Sequence, residues 1–163
     1  MNILIAYYSK TGSTEKVALA LQQRLQEKGH FIKLARISPL KQLKAYQYKK
    51  SDKGLQLLQP LLDVKKFDFV IVGTPVWSYC PTPIVLSYLR KLRNTKGKRF
   101  ALFATCMALP GTTIQRMGNI LTTKGASVLD SLTVRSVFEL DDAKLAEVSR
   151  FAESLGEKIL KPK

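Results

Sequence analysis

Four apolar runs punctuate the chain: "NILIAYY" (2–8), "FIKLARI" (31–37), "FDFVIVG" (67–73) and "RFALFAT" (99–105). The first, third and fourth lack clean polar alternation, which predicts strands covered on both faces, as in a parallel sheet under helices. A fifth, "SVLDSLTV" (127–134), is weaker because Asp130 and Ser131 interrupt it. Helical spacing fills the intervals. From Thr14 the apolar series is Val17, Ala18, Leu21 and Leu25, stopped by Gly29. Pro83 suits a first turn ahead of Ile84, Val85, Tyr88, Leu89 and Leu92. Thr112 or Thr113 can cap a helix carrying Ile114, Met117 and Leu121, with Gly125 at its end. Asp141 or Asp142 precedes Leu145, Val148, Ala152, Leu155 and Ile159. The β-α-β-α alternation predicts an open, doubly wound α/β sheet. Only residues 38–66 resist; with Pro39, Gly54 and Pro60 around "KGLQLLQPLLD", they read as a loop followed by a short helix. No internal repeat is visible.

A length of 163 residues suits one ordinary domain, and 45% apolar against 24% charged residues is the profile of a soluble globular chain. No apolar run approaches the about 18 residues of a membrane helix, and "MNILIAYY" has neither a basic region ahead of it nor a cleavage site behind, so a cytoplasmic protein is expected. Cys80 and Cys106 are too few for a disulfide scaffold and lack metal-ligand spacing. Charge is the unusual property: 27 Lys and Arg against 12 Asp and Glu, a formal +15. That balance favours anionic partners such as nucleic acid, acidic proteins or phosphorylated cofactors.

In a doubly wound sheet, ligands sit beyond the carboxyl ends of the strands. Three segments then gather at one edge: "YSKTGST" after the first strand, "TPVWSYCPTP" after the third and "TCMALPGTT" after the fourth. A glycine and several hydroxyls before a helix start offer N–H and O–H donors at the positive end of the helix dipole, where a phosphate fits. The plainer alternative is that Ser9, Thr11, Ser13 and Thr14 supply only a turn and an N-cap. His30 falls at the opposite edge, so no histidine-dependent catalytic triad can be built on it. There is no G-x-x-x-x-G-K-[ST] and no G-x-G-x-x-G. No acidic cluster flanks the first strand, which disfavours a phosphoryl-accepting receiver domain.

Two of these segments carry a specific likeness. "SKTGST" (9–14) resembles the phosphate-binding loop of the flavodoxin family, [ST]-x-T-G-x-T, at every defined position, and "GTPVWSYCPTP" (73–83) resembles its second flavin-contacting loop. "TCMALPGTT" (105–113) occupies the place of the third loop. The resemblance implies a single flavodoxin-like FMN-binding domain over residues 1–163. Its sheet would have five parallel strands in order 2-1-3-4-5, with helices on both faces. It also implies that Ser9, Lys10, Thr11, Gly12, Ser13 and Thr14 hold the FMN phosphate, while Pro75, Val76, Trp77, Ser78 and Tyr79, with Thr105, Cys106 and Met107, line the isoalloxazine. Trp77 is the expected stacking ring. No catalytic side chain and no metal ligand is expected. Cys80 and Cys106 both fall at this edge, as small apolar fillers or as a redox pair.

The departures from the family bear on function. Typical flavodoxins are acidic, whereas this chain has the opposite sign, and positive charge near the flavin stabilises its reduced anionic form. The third loop lacks an aromatic residue to cover the outer flavin face. The first expectation is FMN-dependent electron transfer between protein partners, the partner being acidic. The second is hydride transfer from NAD(P)H through FMN to a quinone; the third is a flavin-free basic binding module. Nucleic acid is disfavoured because aromatic residues interleave with basic ones only in "KAYQYKK" (44–50). Two basic clusters should lie at opposite edges of the sheet. Lys41, Lys44, Lys49, Lys50 and Lys53 should lie near the FMN; Arg90, Lys91, Arg93, Lys96, Lys98 and Arg99 should form a remote, solvated face.

Overall fold

In a computed structural model of the chain, residues 1–42, 52, 54–135 and 140–160 are described. The predicted strands are β1 (Asn2–Tyr7), β2 (Phe31–Arg36), β3 (Phe69–Trp77), β5 (Arg99–Cys106) and β6 (Ser127–Arg135), and a two-residue strand, β4 (Cys80–Pro81), pairs antiparallel with the end of β3. Among the described residues, the pairings of the five longer strands are all parallel, in order β2-β1-β3-β5-β6. With the short β4 set aside, this is the expected order 2-1-3-4-5.

Because side chains alternate across a strand, the continuous apolar runs feed two cores at once. Ile3, Ile5, Phe69, Ile71, Ala101 and Phe103 pack on one face with residues of α1 (Ser13–Glu27) and α4 (Asp142–Leu160). Leu4, Ala6, Val70, Val72, Phe100 and Leu102 pack on the other with residues of α2 (Pro83–Lys91) and α3 (Thr113–Thr123). No helix among the described residues is long and apolar enough to cross a membrane.

One local expectation needs revision. No helix forms over residues 54–66; the segment runs as irregular chain with single bridges, Pro39 to Leu57 and Asp63 to Arg93. Pro60 lacks the N–H a helix needs and Gln59 has a φ of 39°. The leucines act by packing instead, with Leu55, Leu57, Leu61 and Leu62 lying against the second core. The polar interruption of the fifth run is a register shift: Phe100 faces Val128, but Ala101 faces Asp130. The Asp130 carboxylate there accepts from Lys158 Nζ at 2.5 Å and Ser154 Oγ at 3.2 Å, so α4 satisfies the polar residue that breaks the pattern.

Candidate functional site

The first loop leaves β1 at Tyr7 and turns into α1 at Gly12. Gly12 is the N-cap, with φ at +99°, a conformation open to glycine at little cost, and it has no side chain with which to cap. Its N–H donates to Ser9 Oγ at 3.1 Å, and its carbonyl accepts from Lys16 N at 2.9 Å. The four hydroxyl residues therefore do not cap α1 as a plain turn would. Ser9 and Thr14 are buried, Ser13 is half-buried, and Lys10 and Thr11 are exposed.

The second loop is a tight hairpin. Trp77 faces Cys80 and Val76 faces Pro81, with Ser78 and Tyr79 at the tip, both at positive φ (50° and 63°). Positive φ at both tip residues matches a two-residue type I′ turn, which usually takes asparagine and glycine; a tyrosine there is strained. Behind the hairpin, Thr82 N donates to Thr74 Oγ1 at 3.2 Å, and Thr82 Oγ1 accepts from Val85 N at 3.3 Å, capping α2. Half-buried Pro75 and Val76 precede Trp77, whose ring meets Tyr8 edge-on at 5.6 Å. Lys10 Nζ lies 5.7 Å from the Trp77 ring centre, so the first and second loops touch.

The third loop closes the group. The Thr14 and Thr105 hydroxyls are 2.7 Å apart and buried, joining first loop to third. Tyr79 O accepts from Thr112 N at 3.0 Å, joining second to third. A Cβ on Gly111 would come within 2.2 Å of that same carbonyl, so only glycine permits the approach. Tyr79, Met107 and Leu109 are exposed around the rim. All fourteen residues expected at the site, from Ser9–Thr14, Pro75–Tyr79 and Thr105–Met107, thus fall on three mutually bonded loops and the element ends that flank them, at one sheet edge. Of the two thiols, Cys106 is buried, and burial raises its pKa, which suits a packing residue. Cys80 accepts from Arg116 Nη1 at 3.1 Å. His30 is at the far edge, next to Phe31, which pairs with Asn2 at the start of the sheet.

Sequence reasoning missed a polar cluster beside the first loop. Glu15 Oε1 accepts from Tyr7 Oη at 2.7 Å and from Arg36 Nη1 at 3.1 Å, and Arg36 Nη2 donates to Ser9 O at 2.9 Å. Burial first, then the hydrogen bond to Glu15 and its charge, push the Tyr7 phenol up to about 12 against the opposing pull of Arg36. The signal was register: Tyr7 and Arg36 are cross-strand partners, visible once β1 and β2 are aligned at their ends.

No family model and no curated protein matches the sequence. Solved structures do. Flavodoxin 2 from Bacillus cereus is 22% identical, with 97% of this chain and 99% of that one aligned at a TM-score of 0.72. The fold is flavodoxin-like. Flavodoxin 1 of the same organism is 18% identical over 99% of this chain and 100% of its own, at a TM-score of 0.70. Rubredoxin oxygen:oxidoreductase from Desulfovibrio gigas matches 97% of this chain with 36% of its own length, at 18% identity and a TM-score of 0.67.

Proposed function

We propose that the chain binds FMN and carries electrons between protein partners. The observation that carries this reading is the uncapped N-terminus of α1, led by Gly12 and ringed by the hydroxyl residues Ser9, Thr11, Ser13 and Thr14. First-turn N–H groups have no partner within their own helix, and the dipole adds positive potential, so this donor set suits a phosphate. Thr14 can accept from Thr105 and still donate outward, because a hydroxyl does both. Bound FMN supplies the electron-transfer chemistry. The protein's part is to hold the phosphate with Ser9, Lys10, Thr11, Gly12, Ser13 and Thr14, and to flank the ring with Pro75–Tyr79 and Thr105–Met107.

Titrating apoprotein with FMN and with riboflavin tests this. FMN should bind more tightly. The Thr11→Val, Thr14→Val double variant should lose roughly 1.5–3 kcal/mol per charge-assisted bond for FMN and little for riboflavin. Trp77 emission should fall over the same titration if its ring lies against the flavin. Equal affinity of the native protein for the two flavins would overturn the reading.

The exposed rim of Tyr79, Met107 and Leu109 favours a second reading, FMN-dependent NAD(P)H oxidation with a quinone entering over an uncovered ring face. Steady turnover of NAD(P)H with a quinone, absent with buffer alone, separates it from electron carriage.

A further inference from the structure

Glu15 is the third residue of α1 counted from the Gly12 cap, the position from which a glutamate commonly folds back over its own helix end. Here it is turned away. Both carboxylate oxygens are taken by Arg36 Nη1, at 3.1 and 3.2 Å, and Oε1 also accepts from Tyr7 Oη at 2.7 Å. The donor that a back-folded glutamate takes, the N–H of the cap residue, belongs instead to Ser9 Oγ. Arg36 also reaches the other side of the loop, donating to Ser9 O at 2.9 Å. One guanidinium thus holds the only acid of the first turn and the loop that precedes it. Its place follows from register, because Arg36 ends β2 directly opposite Tyr7.

A released carboxylate at this position is an anion within one helical turn of the proposed phosphate site. It would compete for the same first-turn N–H groups and repel the phosphate by like charge. We propose that Arg36, assisted by Tyr7, is a positioning residue that holds Glu15 off the N-terminus of α1 and so keeps that end open to the phosphate of FMN. The proposal rests on the FMN reading and adds to it a residue outside the three loops.

The test uses full-length apoprotein titrated with FMN and riboflavin, for the native chain and for Arg36→Met, Glu15→Gln and the double variant, with folding checked by circular dichroism. Arg36→Met should weaken FMN binding by about tenfold or more, the size of one charge-assisted hydrogen bond, and leave riboflavin binding unchanged. Glu15→Gln should bind FMN at least as well as the native chain. The double variant should recover FMN affinity to near that of Glu15→Gln, because the competing charge is gone. A purely structural role for Arg36 predicts no such recovery. Unchanged FMN affinity in Arg36→Met, or a double variant as weak as Arg36→Met, overturns the proposal while the FMN reading stands. A native chain that does not prefer FMN over riboflavin overturns both.

Discussion

Gly73, the glycine of "GTPVW", has a definite steric duty: a Cβ there would lie 2.0–2.4 Å from three ring atoms of Phe103, which is itself fully buried. The ring cannot swing out of the core, so Gly73→Ala should cost about 1–3 kcal/mol by overpacking, read as a lower midpoint in urea denaturation. Phe103→Leu in the same chain should recover part of that loss. The sequence marked Gly73 through its motif; the reason, a phenylalanine thirty residues on, needed the β3–β5 register that sets Gly73 opposite Phe103. Tyr7 carries a second test at this scale. Its ring is buried while its hydroxyl reaches the half-exposed Glu15, and its pKa stands at about 12. A phenol with a raised folded-state pKa stabilises the fold fully below its ordinary value of 10 and loses that contribution as pH climbs through about 12. Glu15→Gln removes the carboxylate's two contributions and leaves burial, so phenolate absorbance should show Tyr7 ionising at lower pH than in the native chain. Unchanged ionisation would mean that burial alone sets the value.

At the scale of elements, strands and helices were legible wherever period and punctuation agreed. The Pro83 helix begins where proline at its first turn required, and Thr82 caps it by accepting from Val85 N. Thr82→Ala should therefore cost about 1 kcal/mol, the value of a lost cap, with some further loss because Thr82 also sits 3.3 Å from the Thr74 hydroxyl beneath the second loop. A thermal melt checks the cost. If melting is unchanged, the Val85 N–H has found water and the cap is dispensable. The start of α3 was read less well, since Thr112 holds the cap position without a side-chain hydrogen bond. Its N–H is used for the Tyr79 carbonyl, a contact between loops that no local pattern announces. Residues 54–66 were misread for a related reason: an apolar run beside a proline is ambiguous locally, and packing of its leucines against the second core decides its path.

For the whole molecule, the direction of a parallel sheet made the placement of the second basic cluster legible, but not its use. Arg99 begins β5 opposite Ser127 and Phe69, so the second basic cluster does lie at the edge away from the three loops. Much of it is occupied rather than merely solvated. Lys98 Nζ donates to the carbonyls of Lys65 at 2.9 Å and Phe67 at 2.6 Å, and Lys91 Nζ to that of Leu55 at 2.6 Å. Arg90 pairs with Asp52, and Arg99 Nη2 donates to Ile159 O at 2.8 Å. Irregular chain over 55–67 has carbonyls that no ladder satisfies, and Lys91 and Lys98 supply donors to three of them, those of Leu55, Lys65 and Phe67.

The two clusters should therefore fail differently when neutralised. Of the first, Lys41 is exposed just after Ile37, whose N–H donates to Tyr7 O at the loop edge; Lys44, Lys49, Lys50 and Lys53 lie outside the described residues. The charge balance leads to the expectation of an acidic partner, which charge following β2 would steer toward the flavin edge, and such steering weakens as salt shortens the screening length to roughly 8 Å at physiological ionic strength. Replacing Lys44, Lys49 and Lys50 with Gln should lower the electron-transfer rate with an acidic partner and flatten its salt dependence. Replacing Arg90, Lys91 and Arg93 removes the shorter of the two hydrogen bonds to the Leu55 carbonyl, leaving Ser87 Oγ at 3.3 Å, and removes the Asp52 pair, so it should lower melting temperature and leave the rate and its salt slope intact. Stopped-flow rates across a salt series, with melting curves of the same variants, read both effects. Equal loss of rate in the two triple variants would mean that the partner responds to net charge alone and that neither edge is a docking face.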